Sequence, residues 1–332
     1  MQKLLTVVVP IYKVEKYINK CLDSLIVSGE QMKFLEVICV NDGTPDNSAL
    51  MAKEYEERYP ETFKVIDKEN GGHGSAWNKG LELATGKYVR FLDSDDWLTN
   101  FEEFIKKLLS IDTDLVFTNM VKYYQKTDSY KRFDVLGMSD GIVYDAEKFD
   151  WSLTNSMLCP DGVTNFQQCT YKTSMLRPYC PLFLEKQFYD DEILYVVPLI
   201  LSKTISFFDL VLYNYYIGRE GQTVDPKVYA KGYDFKLKVR NSMQKFVDAH
   251  KDISFTKEKK LEFILNRRNT LIMTIVTLMP YSEGKNKAKE FVEWLQQNHP
   301  NYVKSIRFRL YNISYGFYRL VSYIRKLLFK YE

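Results

Sequence analysis

Read for its apolar and polar positions, the first part of the chain is a series of short apolar runs. Each ends in a polar cluster, and each is followed by a segment with helical spacing. Residues 4–12, LLTVVVPIY, form a β-branched run that predicts a buried strand. Val14, Ile18, Leu22, Leu25 and Ile26 then recur at helical spacing as far as Gly29. LEVICVNDG reads as a second strand with a polar tip, and TPDNSALMAKEYEERYP as a helix capped by Thr44 or Asp46. TFKVIDKENGG gives a third strand, GSAWNKGLELATG a helix closed by Gly86, KYVRFLDSDDW a fourth strand and LTNFEEFIKKLLS another helix. Strands alternating with helices predict an α/β fold with a mainly parallel sheet, helices on both faces.

In such sheets ligands bind outside the carboxyl ends of the strands. Three polar clusters fall at those ends: NDG, ENGGHG and DSDD. They are expected to meet in one crevice. From about Asp114 the connections lengthen, with strands expected at DLVFTNMVKYYQ and ISFFDLVLYNYYIG. Beyond Pro226 the pattern is helical over 228–249, 256–279, 285–297 and 302–330. This suggests a sheet domain over 1–225, with halves meeting near residues 112 and 113, and a helical region over 226–332.

Composition narrows the class. A net charge of +3 on 332 residues gives no reason to expect nucleic-acid binding. Cys21, Cys39, Cys159, Cys169 and Cys180 have no paired CxxC spacing, which argues against a zinc site or disulfide framework. They read as small buried hydrophobes in a reducing, cytoplasmic setting. There is no apolar run of membrane-spanning length and no secretory signal. A dinucleotide oxidoreductase is disfavoured because VPIYKVEKY, not GxGxxG, follows the first strand.

Each cluster has a specific chemistry and a plainer alternative. Asp42-Gly43 is either an acceptor at a strand tip or an ordinary turn. Gly71, Gly72 and Gly74 precede a helix, where bare backbone and a helix N-terminus suit a phosphate; a surface loop would look similar. His73 within them is a ligand contact or a structural residue. Asp93, Asp95 and Asp96 repel one another unless something positive shares the site. They are either a cation site or a solvated acidic turn, with Asp96 suited to capping the next helix. Asp190, Asp191 and Glu192 precede a helical segment and could equally be a favourable acidic N-terminus.

Taken together, TVVVPIYKVEKYINKCLDSL, VNDGTPDNS, KENGGHGSAWNKGLELATGKYVRFLDSDDWL, FYDDEILYVVP and YNYYIGREGQT resemble the family 2 glycosyltransferases over the first 225 residues. The resemblance implies a GT-A fold, a nucleotide-sugar donor and a divalent metal, Mn²⁺ or Mg²⁺. It implies donor contacts from Pro10, Tyr12, Asp42, Asn70, Gly71, Gly72, Asn78, Lys79, Asp93, Ser94 and Arg219, with Asp42 accepting from the nucleotide base. It makes Asp93-Ser94-Asp95 the DXD element, with Asp95 as metal ligand and Asp93 as donor contact or second metal ligand. Asp191, with Asp190 as fallback, becomes the base of an inverting reaction. Where many members carry Arg, this chain has Trp77, so Lys79, Arg90 or Arg219 is expected to meet the diphosphate.

The expected reaction moves a hexose or N-acetylhexosamine from a UDP-sugar to a hydroxyl of a glycan or lipid-linked oligosaccharide. The alternative is an inactive sugar-nucleotide-binding or scaffold protein. In the empty protein the DSDD acids are expected to be the least settled part of the crevice, awaiting a cation that arrives with substrate. At the C-terminus Ile306, Leu310, Ile313, Phe317, Leu320, Val321, Ile324, Leu327 and Leu328 share one helical sector, with lysines and arginines opposite except Arg309. That pattern fits peripheral contact with an anionic membrane, or packing on the catalytic domain or a second subunit of a homo-oligomer.

Overall fold

The computed structural model describes residues 3–151, 165–219, 232–250, 252–298 and 314–329. Cys159, residues 302–313 and residues 220–231 lie outside these. Contacts divide the chain into two compact units: Met1–Glu220 with Ser242–Ile264, and Gly221–Asn241 with Leu265–Glu332.

The first unit is built on one ten-stranded sheet. Its strands are β1 (Leu5–Ile11), β2 (Leu35–Asn41), β3 (Phe63–Asp67), β4 (Tyr88–Phe91), β5 (Trp97–Leu98), β6 (Leu115–Tyr124), β7 (Ser129–Phe133), β8 (Val143–Asp145), β9 (Cys169–Lys172) and β10 (Thr204–Ile217). The order is β3-β2-β1-β4-β9-β6-β10-β5, with β7 on β6 and β8 on β10. From β3 to β4 all pairings are parallel. Beyond β4 the short β9 runs antiparallel to both β4 and β6, while β10 runs parallel to β6.

All seven residues of β1 are buried, which is why the run is apolar at every position but Thr6 rather than alternating. Pro10 sits in this central strand at little cost. Pairing with β4 ends at Val8 and Phe91, so the N–H that proline lacks has no partner waiting on that side.

Helices α1 (Ile18–Asp23), α2 (Gly29–Met32), α3 (Ser48–Arg58), α4 (His73–Leu83) and α5 (Phe101–Leu108) connect these strands. The helix expected to run from Val14 to Gly29 is thus only α1. Val14 and Leu25 are buried beside it without being helical, and Ser24 Oγ bonds back to Cys21 O, a local bond that competes with helix extension. Helix α3 starts at Ser48, and Asp46 serves it from just outside, accepting from Ser48 N at 3.2 Å and Thr44 Oγ1 at 2.7 Å.

Trp77 of α4 is fully buried, with ring centroids 4.6 Å from Phe91, 4.8 Å from Phe166 and 5.1 Å from Phe183. Where the family pattern expects an arginine, this residue is a centre of the core. Cys21, Cys39 and Cys169 are buried free thiols, and Cys180 is a half-buried one.

The second unit draws on the helices Tyr233–Asp248, Phe255–Leu278, Tyr281–Asn298 and Tyr315–Phe329. Its core gathers Ile272, Val276, Phe291 and Leu295 with Tyr233, Tyr315 and Tyr318. Among the described residues no helix is long and apolar enough to cross a membrane.

Candidate active site

At the carboxyl end of β2, Asp42 is 2% exposed. Its Oδ1 accepts from Gly71 N at 2.9 Å and Lys68 Nζ at 2.6 Å, and its Oδ2 accepts from Gly72 N at 2.8 Å. Asn70 Nδ2 donates to the Asp42 carbonyl at 2.8 Å. Asp42 therefore holds the glycine loop onto β2, and the Gly71 and Gly72 N–H groups face a carboxylate rather than open space. Oδ2 retains a lone pair for one further donor. Gly72, at φ +87°, is confined to a backbone shape that side chains rarely adopt. A Cβ on Gly74 would meet Asp190 Oδ2 at 2.6 Å, so this glycine is needed for the close approach of Asp190 to α4.

The five residues after β4 bring three carboxylates close together. One ligand atom from each of Asp93, Asp95 and Asp96 lies within 4.8 Å of the other two. Every one of them has an internal partner. Asp96 is buried and accepts from Tyr213 Oη at 2.5 Å and Tyr216 N at 2.7 Å. It ties the turn to β10 and caps no helix; α5 begins only at Phe101, after Asn100. Burial, with Asp95 and Asp93 beside it, raises the Asp96 pKa well above the usual carboxylate range. Asp93 Oδ1 lies 3.0 Å from His73 Nε2. Asp95 Oδ2 lies 2.8 Å from Arg219 Nε. Burial raises the Asp95 pKa, Arg219 pulls it back, and Asp93 adds to the rise. These acids are thus paired with internal cations and donors, not left unsettled.

His73, the first residue of α4, joins two acidic clusters. Its Nδ1 lies 3.3 Å from Asp190 Oδ2 and its ring packs 4.2 Å from that of Trp77. Burial pulls the imidazole pKa down, but Asp190 and Asp93 on either side more than offset this and hold it well above its ordinary value. Asp190 is buried, at the start of a 3-10 turn, Asp190–Tyr195, that follows Tyr189 in the left-handed region. Asp191 is half-buried. Its charge joins those of Asp96, Asp93 and Asp95 in adding to the effect of burial on Tyr215, whose hydroxyl is pushed far up. Asp190 therefore reaches the DSD turn through His73.

Other expected donor contacts have internal roles. Asn78 is buried; its Oδ1 accepts from Leu182 N at 2.8 Å and Phe183 N at 2.9 Å, and its Nδ2 donates to Phe183 O at 2.8 Å. It clamps α4 to the segment before the acidic turn. Lys79 pairs with Glu82 on the outside of α4. Arg90 is fully buried, donating to Cys169 O, Thr170 Oγ1 and Gln167 O. Burial lowers its pKa to about 10. Of the three cations weighed for the diphosphate, only Arg219 reaches the acidic turn. Ser94 is buried there, while Tyr12, just beyond β1 and Pro10, is exposed. Lys68, Tyr213 and Tyr215 were not expected at the site. The tyrosines sit in an apolar strand pattern that gives no sign of their hydroxyls, and Lys68 looks like any surface lysine.

The acidic turn fits a hard divalent cation. Asp93 and Asp95 offer carboxylate oxygens close together, and Asp96 is committed elsewhere.

Comparison with known proteins agrees with this geometry. Residues 6–168 match the model described as Glycosyl transferase family 2. The glycosyltransferase GlyA of Streptococcus pneumoniae is 37% identical over 137 residues, 41% of this chain and 19% of that one. The minor teichoic acid biosynthesis protein GgaB of Bacillus subtilis is 42% identical over 91 residues, 27% of this chain and 10% of that one. The chain thus spans less than half the length of these curated relatives. The crystal structure of S. aureus TarS 1–349 in complex with UDP-GlcNAc aligns over 90% of this chain and 92% of that one, with a TM-score of 0.52 and 20% identity. The likeness shows a common fold, the mixed α/β GT-A architecture. Residues 6–168 of the chain are a family 2 glycosyltransferase domain.

Proposed function

We propose that this protein is an inverting, metal-dependent hexosyltransferase. It would move a hexose or N-acetylhexosamine from a UDP-sugar to a hydroxyl of a glycan or lipid-linked oligosaccharide in cell-surface polysaccharide synthesis. The observation that carries the reading is the convergence, at the strand ends, of the Asp42-held glycine loop, the DSD turn and the Asp190-Asp191 turn. The UDP-GlcNAc complex of the similarly folded TarS supports a UDP-sugar donor, and the teichoic acid relative supports a surface-glycan product.

In this reading Pro10 and Tyr12 border the base site, and Asp42 offers its remaining lone pair to the base while keeping Asn70, Gly71 and Gly72 in position. Asp93 and Asp95 hold the cation, Mn²⁺ or Mg²⁺, with Asp93 and Ser94 also near the donor. When bound, the metal offsets charge growing on the departing diphosphate. Asp191, the more exposed of the acidic pair, takes the proton from the acceptor hydroxyl as that oxygen attacks the anomeric carbon. Asp190, buried against His73, orients the turn that carries it. The proposal includes peripheral contact of the helix Tyr315–Phe329 with an anionic membrane surface.

The test is a screen of UDP-, GDP- and dTDP-sugars for metal-dependent turnover by the full chain and by Asp191→Asn. Turnover of a UDP-sugar should fall by about 10²-fold or more in the variant, with donor binding retained. Binding without turnover in the parent protein would point instead to a sugar-nucleotide-binding role.

A further inference from the structure

The charge on the acidic turn is balanced by residues from two distant parts of the chain. His73 comes from the start of α4 and Arg219 from just beyond β10. The two contacts differ. His73 Nε2 lies at hydrogen-bond distance from Asp93 and its ring is packed on Trp77. Arg219 Nε is 2.8 Å from Asp95 Oδ2 yet forms no hydrogen bond with normal geometry, so the contact is one of charge more than of direction. Asp95 itself is 10% exposed at the side chain, a place where an unpaired carboxylate is costly. Between β10 and Arg219 stands Gly218, at φ +132°, a backbone shape open to glycine and rarely to other residues. Arg219 therefore follows a glycine just past the end of β10, outside any helix or strand.

We propose that Arg219 is the stand-in for the divalent cation, neutralising Asp95 in the empty protein and leaving it when metal and nucleotide diphosphate enter together. This rests on the reading of Asp95 as the metal ligand. Metal alone must compete with a guanidinium already seated beside Asp95. Metal with diphosphate gives both charges new partners: Asp95 takes the metal, and the displaced guanidinium can pair with phosphate oxygens. The two ligands should therefore bind with positive coupling, and Arg219 should carry part of that coupling. A protein built this way keeps its acidic turn neutral between turnovers and holds metal tightly only when nucleotide is present.

The experiment is a Mn²⁺ titration of the full chain followed by electron paramagnetic resonance, with and without UDP. It compares the parent protein with Arg219→Gln and with Arg219→Gln/Asp95→Asn. Arg219→Gln should bind Mn²⁺ alone about tenfold more tightly than the parent, and UDP should then tighten Mn²⁺ binding by a smaller factor than in the parent. Adding Asp95→Asn should remove the gain. Equal Mn²⁺ affinity in the parent and Arg219→Gln, or a gain that survives Asp95→Asn, overturns the proposal while leaving the metal reading standing. Mn²⁺ bound by none of the proteins, even with UDP, overturns the metal reading and this proposal with it.

Discussion

Glu36, 1% exposed in β2, shows how a single carboxylate can hold a sheet edge together. Its oxygens accept from Thr6 Oγ1 at 2.6 Å, Thr85 N at 2.8 Å and Lys64 Nζ at 3.2 Å, joining β1, β3 and the turn before β4. Burial alone would raise its pKa; the bonds from Thr6, Thr85 and Lys64 outweigh this and lower it. The folded value lies below the unfolded one, so the ionised form favours the fold. Its contribution is complete above the ordinary carboxylate range and is lost as pH falls through the folded value. Glu36→Gln should cost about 1.5–3 kcal/mol at neutral pH and flatten the acid limb of the stability curve. Urea melts at neutral and acid pH would check both, and an unchanged acid limb would show that Glu36 is not its source. The same scale separates what could be read in sequence from what could not. Asp42, Asp93 and Asp95 stand out because they follow apolar strand runs, whereas Asp191 follows no strand and is singled out only by the family resemblance. Asn78 looked like a donor contact because its motif position says nothing about direction; only the fold shows its amide turned inward to Leu182 and Phe183.

Helix α4 is the element on which the site depends. It carries His73 at its start, Trp77 in its core face and Asn78 against the chain that leads to Asp190. Its distance from the sheet is set by Gly80. A Cβ there would meet Val8 Cγ1 at 2.1 Å and Val8 Cβ at 3.0 Å, so the helix backbone rests directly on the middle of β1. Gly80→Ala must push α4 off the sheet or force Val8 into another rotamer, at about 1–3 kcal/mol. The same shift should move His73 relative to Asp93 and lower UDP affinity. Thermal melts together with UDP titration would check this; a destabilised variant with parental UDP affinity would mean that the displacement is absorbed before it reaches His73. Helix α4 was legible as a segment bounded by the glycines of ENGGHG and by Gly86. Helix α1 was not, since Val14 and Leu25 continue the helical spacing by chance while being buried from non-helical segments. Nor were β7, β8 and β9 read as strands. They are short, and the exposed residues of β7 give no alternation to detect.

At the scale of the whole molecule, the sheet unit supplies every residue of the candidate site, and the second unit is held by a core of its own. The helix Tyr315–Phe329 belongs to that core through one face only. Tyr315 and Tyr318 are buried in it, and Tyr315 Oη donates to Val276 O at 2.7 Å. Tyr315 fits there because Gly284 leaves room; a Cβ on Gly284 would meet its hydroxyl at 2.4 Å. Phe317 and Leu320 fall on the opposite side of the helix and are 45% and 53% exposed. Val321 of the same stripe is half-buried, and neither Phe317 nor Leu320 is part of the core of their unit. The face that anchors the helix is tyrosine, and the face read from the sequence as an apolar stripe is turned out. A stripe exposed in this way fits an interfacial helix, whose binding grows with the apolar area it buries. Replacing both residues, Phe317→Ser with Leu320→Ser, removes roughly 1.5–3 kcal/mol of transferable apolar surface, because each side chain is about half exposed. Binding to vesicles containing anionic lipid should fall by about tenfold or more, with the melting temperature unchanged because neither side chain is part of the core. Vesicle binding equal to the parent's would sink the membrane reading. A lowered melting temperature would instead show that the stripe is covered by protein in solution.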